Sequence, residues 1–118
     1  MLTKEHIHEA THYNVEFLEE VYSEKVMYVM VNEHNQVSTM SKQDLISYFT
    51  NRRNQKLEPL GEKSDFLYAN ADESTAMVIV NREMEFNGRP EKMFFTLIWE
   101  KTDSGWKITK ESVSVKPI

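Results

Sequence analysis

From Glu62 to the end of the chain the apolar residues recur at every second position, and that period commits the second half to β-strands. Four runs carry it, around Lys63 to Ala69, Thr75 to Phe86, Lys92 to Lys101 and Trp106 to Lys116. Ala71-Asp72-Glu73-Ser74, Asn87-Gly88-Arg89-Pro90 and Thr102-Asp103-Ser104-Gly105 separate them, each rich in turn formers. Asn87-Gly88 is the strongest of these signals, because a type I′ hairpin needs positive φ at both central residues. Pro90 points to a slightly longer loop. The spacing therefore predicts an antiparallel meander. Its middle strands are apolar on both faces: Phe94 and Ile98 alternate with Met93, Phe95, Leu97 and Trp99, and Ala76, Val78 and Val80 alternate with Met77 and Ile79. Two helices cannot cover both faces, so a second copy of the chain is expected against the outer one.

The first half has the helical period instead. Ile7, Ala10, Asn14, Phe17, Leu18 and Val21 fall at three- and four-residue spacing, which predicts one amphipathic helix from about Thr3 to Tyr22. Val26 to Val31 is a short apolar run that reads as a buried strand, and Asn32-Glu33-His34-Asn35 reads as a turn. Ser41-Lys42-Gln43-Asp44 is a capping-box start, with Met40 and Leu45 placed to close a hydrophobic staple. The helix it opens loses its apolar pattern at Asn51-Arg52-Arg53-Asn54 and is expected to end there, ahead of Pro59 and Gly61. Arg52 and Arg53 then offset the dipole at its C-terminus; turned inward, either would favour an anionic ligand.

At 118 residues the chain has material for one core, so residues 1–118 are read as a single domain. With no cysteine there are no disulfides, thiolate metal sites or Cys nucleophile. A net charge of -5 and no cationic run longer than Arg52-Arg53 argue against a nucleic-acid or anionic-membrane surface. No stretch approaches the ~18 apolar residues of a membrane span and no apolar leader opens the chain, so a cytoplasmic address is expected.

A helix, a short strand, the Ser-capped segment Ser41-Lys42-Gln43-Asp44-Leu45-Ile46-Ser47-Tyr48-Phe49, and a long sheet ending in Gly105-Trp106-Lys107-Ile108 together resemble the nuclear transport factor 2-like superfamily. The likeness is to its SnoaL-like and ketosteroid-isomerase-like members and runs over nearly the whole chain. The resemblance implies an α+β cone: a curved antiparallel sheet wrapped around N-terminal helices, enclosing a pocket and pairing as a homodimer through the outer sheet face. It does not imply a function, since the fold carries isomerases, dehydratases, cyclases and hydrolases beside members that only bind or assemble. Aligning Val21 to Val26 on the segment before the first strand puts Met30 where ketosteroid-isomerase-like members hold their general-base aspartate. A thioether takes no proton, so that enolisation chemistry lacks its base. A shift of a few residues would offer Glu33, but in a turn. The isomerase oxyanion pair has no alignable counterpart.

Candidate site residues follow from the same layout. Asn81, Glu83 and Glu85 share one face of their strand and Arg82 takes the other with Met84 and Phe86. The first set either supplies carboxylates to the pocket or forms a solvated edge. Tyr13, Tyr28, Met30, Tyr48, Asn81, Phe95 and Trp99 are the expected pocket wall, tyrosine hydroxyls being its few polar groups. Two functions result. One is a binding or assembly protein that takes a small, mostly apolar ligand without catalysis. The other is a SnoaL-like isomerase, cyclase or dehydratase on a small hydrophobic carbonyl compound, with Glu83 as acid/base and Tyr48 or Tyr13 orienting the oxygen. His8-Glu9-Ala10-Thr11-His12 spells the zinc-protease signature, yet Val15 and Leu18 stand where the extended form wants glycine and a third histidine. No metal or cofactor is therefore expected, although His8 and His12, with His6, offer nitrogen ligands for opportunistic chelation.

Overall fold

The computed structural model describes residues 2–56, 64–86 and 89–117. Three helices precede or interrupt one six-stranded sheet: α1 (Leu2–Thr11), α2 (Val15–Val21), β1 (Tyr22–Val31), β2 (Val37–Met40), α3 (Lys42–Asn54), β3 (Ser64–Ala71), β4 (Thr75–Phe86), β5 (Arg89–Thr102) and β6 (Gly105–Pro117). The strand order is β2-β1-β6-β5-β4-β3. The sheet is curved and unclosed, and the α+β cone is as expected. Its four long strands pair antiparallel in sequence order. β1 enters beside β6 in parallel, the one departure from the antiparallel pattern.

The single N-terminal helix predicted from Thr3 to Tyr22 is two helices. Tyr13 sits at φ 58, and this left-handed residue breaks the chain direction. Asn14 restarts it: its side chain accepts from the Phe17 backbone N–H at 3.2 Å, and its own amide donates to Glu9 Oε2 at 2.6 Å. α1 buries Thr3, His6, Ile7, Ala10 and Thr11, a stripe at 0, 3, 4, 7 and 8. Strand β1 also starts earlier than expected, at Tyr22, and the four-residue edge strand β2 was unforeseen. In α3 the capping box is present as predicted, with Ser41 Oγ accepting from the Asp44 N–H at 3.1 Å and Asp44 Oδ2 from the Ser41 N–H at 3.0 Å. Asn54 ends that helix. The Asn87-Gly88 turn, Pro59, Gly61 and Lys63 lie outside the described residues.

The core fills the inside of the curve. Leu18, Val21, Leu45 and Phe49 of the helices pack with Val78, Val80, Phe95, Leu97, Trp99, Ile108 and Val113 of the sheet. The opposite face stays open to solvent. Met77 pairs with Ile98, Ile79 with Thr96 and Asn81 with Phe94, so these side chains form one surface, and Phe94 is 41% exposed.

Candidate functional site

The cone is hollow. A cavity of about 320 Å³ lies between α1, α3 and the inner sheet face. Its mouth is beside β2, where exposed Ser38 meets half-buried Met30, Met40 and Tyr48. Its wall is apolar, with Ile7, Leu45, Phe49, Val80, Met84 and Leu97 among the lining. Its deeper polar groups come from His6, Thr11, Tyr22, Tyr28, Arg82 and Glu111, each less than a tenth exposed.

Three of these are chained. Tyr22 Oη donates to Glu111 Oε1 at 2.9 Å, and His6 Nε2 lies 3.4 Å from the same hydroxyl and 3.8 Å from Glu111 Oε1. With the Tyr22 proton directed to Glu111, the phenol oxygen is left to accept, which assigns the Nε2–H tautomer to His6. His6 Nδ1 is then a buried lone pair with no hydrogen-bond partner among the described residues. The imidazole is held edge-on by Tyr22 at 5.4 Å and Trp99 at 6.1 Å between ring centroids. Burial pushes the Tyr22 phenol well above its ordinary pKa, and the Glu111 charge adds to the shift. Tyr28 is raised well above its ordinary value for the same two reasons, burial first. Both tyrosines are therefore neutral donors at any physiological pH. Tyr48, nearer the mouth, is raised by burial, against which the Arg52 charge pulls it down.

Arg82 crosses the inner face of β4, with its guanidinium 5.4 Å from the Phe95 ring centroid. Met93 is its direct partner on β5, and Glu91, 2% exposed, is a diagonal neighbour on that same face. A buried cation and a buried carboxylate thus stand together at this end of the sheet.

The expected pocket residues separate into three groups. Tyr28, Met30, Tyr48 and Phe95 do line the cavity. Tyr13 and Trp99 are buried beside it without lining it. The Tyr13 hydroxyl accepts from Arg52 Nε at 2.9 Å, and Trp99 Nε1 donates to Thr3 Oγ1 at 3.1 Å. Asn81 and Glu83 are corrected: strand alternation puts them on the outer face, because Val80, Arg82 and Met84 occupy the inner one. Asn81 there borders a shallow hollow with Lys92, Phe94, Ser114 and Lys116. Glu83 is thereby removed as the acid/base of this cavity. Neither Arg52 nor Arg53 lines the cavity: Arg52 Nε donates to the Tyr13 hydroxyl at 2.9 Å and Arg53 pairs with Glu16 at 2.8 Å.

His6, Tyr22 and Glu111 were missed by the sequence reading. His6 adjoins Ile7 on the stripe of α1 and was legible from that spacing. Glu111 was not, because a bulge at Thr109 shifts the phase of β6: Ile108 faces inward, and so do Glu111, Val113 and Val115. His8 and His12 point outward with ring centroids 4.4 Å apart, away from buried His6. Among the described residues no three His, Cys, Asp or Glu gather as a metal site, and no helix is long and apolar enough to cross a membrane.

Solved structures share this architecture. A nuclear transport factor 2-like protein from Cytophaga hutchinsonii superposes with a TM-score of 0.76 at 18% identity, over 98% of this chain and 94% of that one. One of unknown function from Silicibacter pomeroyi gives 0.75 at 16% identity, over 98% and 90%. Another from Rhodospirillum rubrum, described as of unknown function in nutrient uptake, gives 0.66 at 21% identity, over 98% and 97%. At such identities the likeness speaks for the fold alone. No curated protein matches the sequence. The SnoaL-like domain model, in contrast, matches residues 2–117, the span that builds both cone and cavity, and the chain belongs to that family.

Proposed function

We propose that this domain holds a small, mostly apolar molecule in the cavity and does not transform it. The observation that carries this reading is the apolar hollow of about 320 Å³ with few polar groups, most of them on buried side chains, the usual form of a small-molecule site. Met30, at the position the resemblance gives to a base, contributes only a thioether to the wall. Protein purified without added ligand should release a discrete compound near one per chain on denaturing extraction, read by mass spectrometry. Ala10→Phe, which places a ring in the cavity from α1, should remove that compound while the melting temperature stays within a few degrees. An empty wild-type protein that also takes up no apolar probe overturns the reading.

A second reading, catalysis on a small hydrophobic carbonyl compound, is favoured by one specific observation: a carboxylate does line the cavity, although it is Glu111 rather than Glu83. Glu111 would then be the acid/base and Tyr28, in place of Tyr48, the donor to the substrate oxygen. Conversion of the extracted compound by the wild-type protein, with loss in Glu111→Gln, would replace the first reading with this one.

The working unit in either case is a homodimer through the outer sheet face. Tyr68, Met77, Ile79, Phe94 and Ile98 offer an apolar surface that a second copy covers. Sedimentation should give a dimer at micromolar concentration, and Phe94→Lys should raise its dissociation constant at least tenfold. A wild-type monomer excludes the interface.

A further inference from the structure

The inner wall of the cavity carries two hydrogen-bonding atoms that the protein leaves unused. Tyr28 and Glu111 are direct partners in the parallel β1–β6 pair, so their side chains stand side by side on the inner face. Glu111 Oε1 is taken by Tyr22, but Oε2 accepts no hydrogen bond among the described residues. The Tyr28 hydroxyl likewise makes none among them, although the residue is only 7% exposed. Neither atom is among those sealed from solvent without a partner, so both are reached from the cavity that their residues line. A bound group that matches both displaces the solvent at these atoms and replaces it with paired hydrogen bonds.

The chemistry of the group follows from what each atom wants. Glu111 Oε2 can only accept, and the neutral phenol of Tyr28 has its proton to donate. A carbonyl or ether oxygen would satisfy Tyr28 and leave the carboxylate unmatched. An ammonium would do the reverse. A carboxylate would add an anion beside Glu111, in a region where Arg82 already has Glu91 as its neighbour. A hydroxyl does both at once, donating to Glu111 and accepting from Tyr28. We propose that the ligand is a neutral, largely apolar alcohol or phenol whose hydroxyl bridges Tyr28 Oη and Glu111 Oε2, with its hydrocarbon body against Val80, Met84, Leu97 and Phe49.

The inference rests on the binding reading above, and three probes of one shape separate the two. Naphthalene, 2-naphthol and 2-naphthoate would be titrated by calorimetry against the full chain, Tyr28→Phe and Glu111→Gln, each checked for its fold by circular dichroism. The wild-type protein should bind 2-naphthol about thirtyfold more tightly than naphthalene, about tenfold from the hydrogen bond to the charged Glu111 and about threefold from the one with Tyr28. Glu111→Gln should shrink that preference to about threefold and Tyr28→Phe to about tenfold, each leaving naphthalene affinity unchanged. Should Glu111→Gln fail to fold, Tyr28→Phe decides alone. Naphthalene binding as well as 2-naphthol, or 2-naphthoate binding best, overturns the hydroxyl assignment and leaves the pocket reading intact. Failure of all three probes to bind removes the pocket reading and this inference with it.

Discussion

Trp99→Ala should destabilise the domain by about 3–5 kcal/mol and lower its melting temperature by roughly 10–20 °C. The indole is 2% exposed and lies where helix α1 meets strand β5. It packs on the His6 edge, and its Nε1 donates to the Thr3 hydroxyl, itself 2% exposed. Truncation removes the largest fully buried side chain and leaves that hydroxyl without its donor. Trp99→Phe keeps much of the contact and loses the hydrogen bond, so its expected cost is about 1–2 kcal/mol. Urea unfolding followed by far-ultraviolet circular dichroism measures both. A loss below about 1 kcal/mol for the alanine variant would mean that α1 is not anchored to the sheet in this way.

Stability should also fall steeply once the pH passes about 10, where unfolded tyrosines ionise. Tyr22 and Tyr28 both have folded pKa values well above 10.0, burial being the main cause and Glu111 the second. The folded state therefore holds two protons that the unfolded chain releases. Their contribution is fully present below the unfolded value and is lost as the pH rises towards the folded ones. Each tyrosine costs about 1.4 kcal/mol per pH unit in that window, so the pair gives a slope near 2.7. Urea midpoints between pH 8.5 and 11.5 would read it. Tyr28→Phe should halve the difference from the double variant Tyr22→Phe/Tyr28→Phe, which isolates these two groups from everything else that titrates there. Identical slopes for the wild-type protein and the double variant would show that neither phenol is buried as described.

What could be read from the sequence was whatever local chemistry specifies. Ser41 and Asp44 announce their helix because a cap is made by residues three apart. The four long strands announce themselves because period two is a property of each run. The break at Tyr13 was hidden, since tyrosine is not a residue that advertises a left-handed backbone and the apolar spacing runs on through Asn14. The parallel entry of β1 beside β6 was hidden because it joins segments some eighty residues apart. For the site, Tyr28, Met30, Tyr48 and Phe95 followed from core spacing, whereas the key carboxylate did not. A strict two-residue alternation from Ile108 sends Glu111 to solvent, and only the extra residue at Thr109 returns it to the cavity. Glu83 shows the converse: its alternation was read correctly, but which face is inside is settled by the helices packed on Val78 and Val80.

The parallel β1–β6 pair also sets the order in which this domain can assemble. β1 is synthesised some eighty residues before β6, and until β6 is made β1 has only the four residues of β2 as a strand neighbour among the described residues. Long-range pairing of this kind is slow, and an unpaired strand edge invites other chains. The wall that holds Tyr28 beside Glu111 cannot close until β6 has been made. A nascent chain stalled before β6 would leave that edge of β1 open to pairing with other chains.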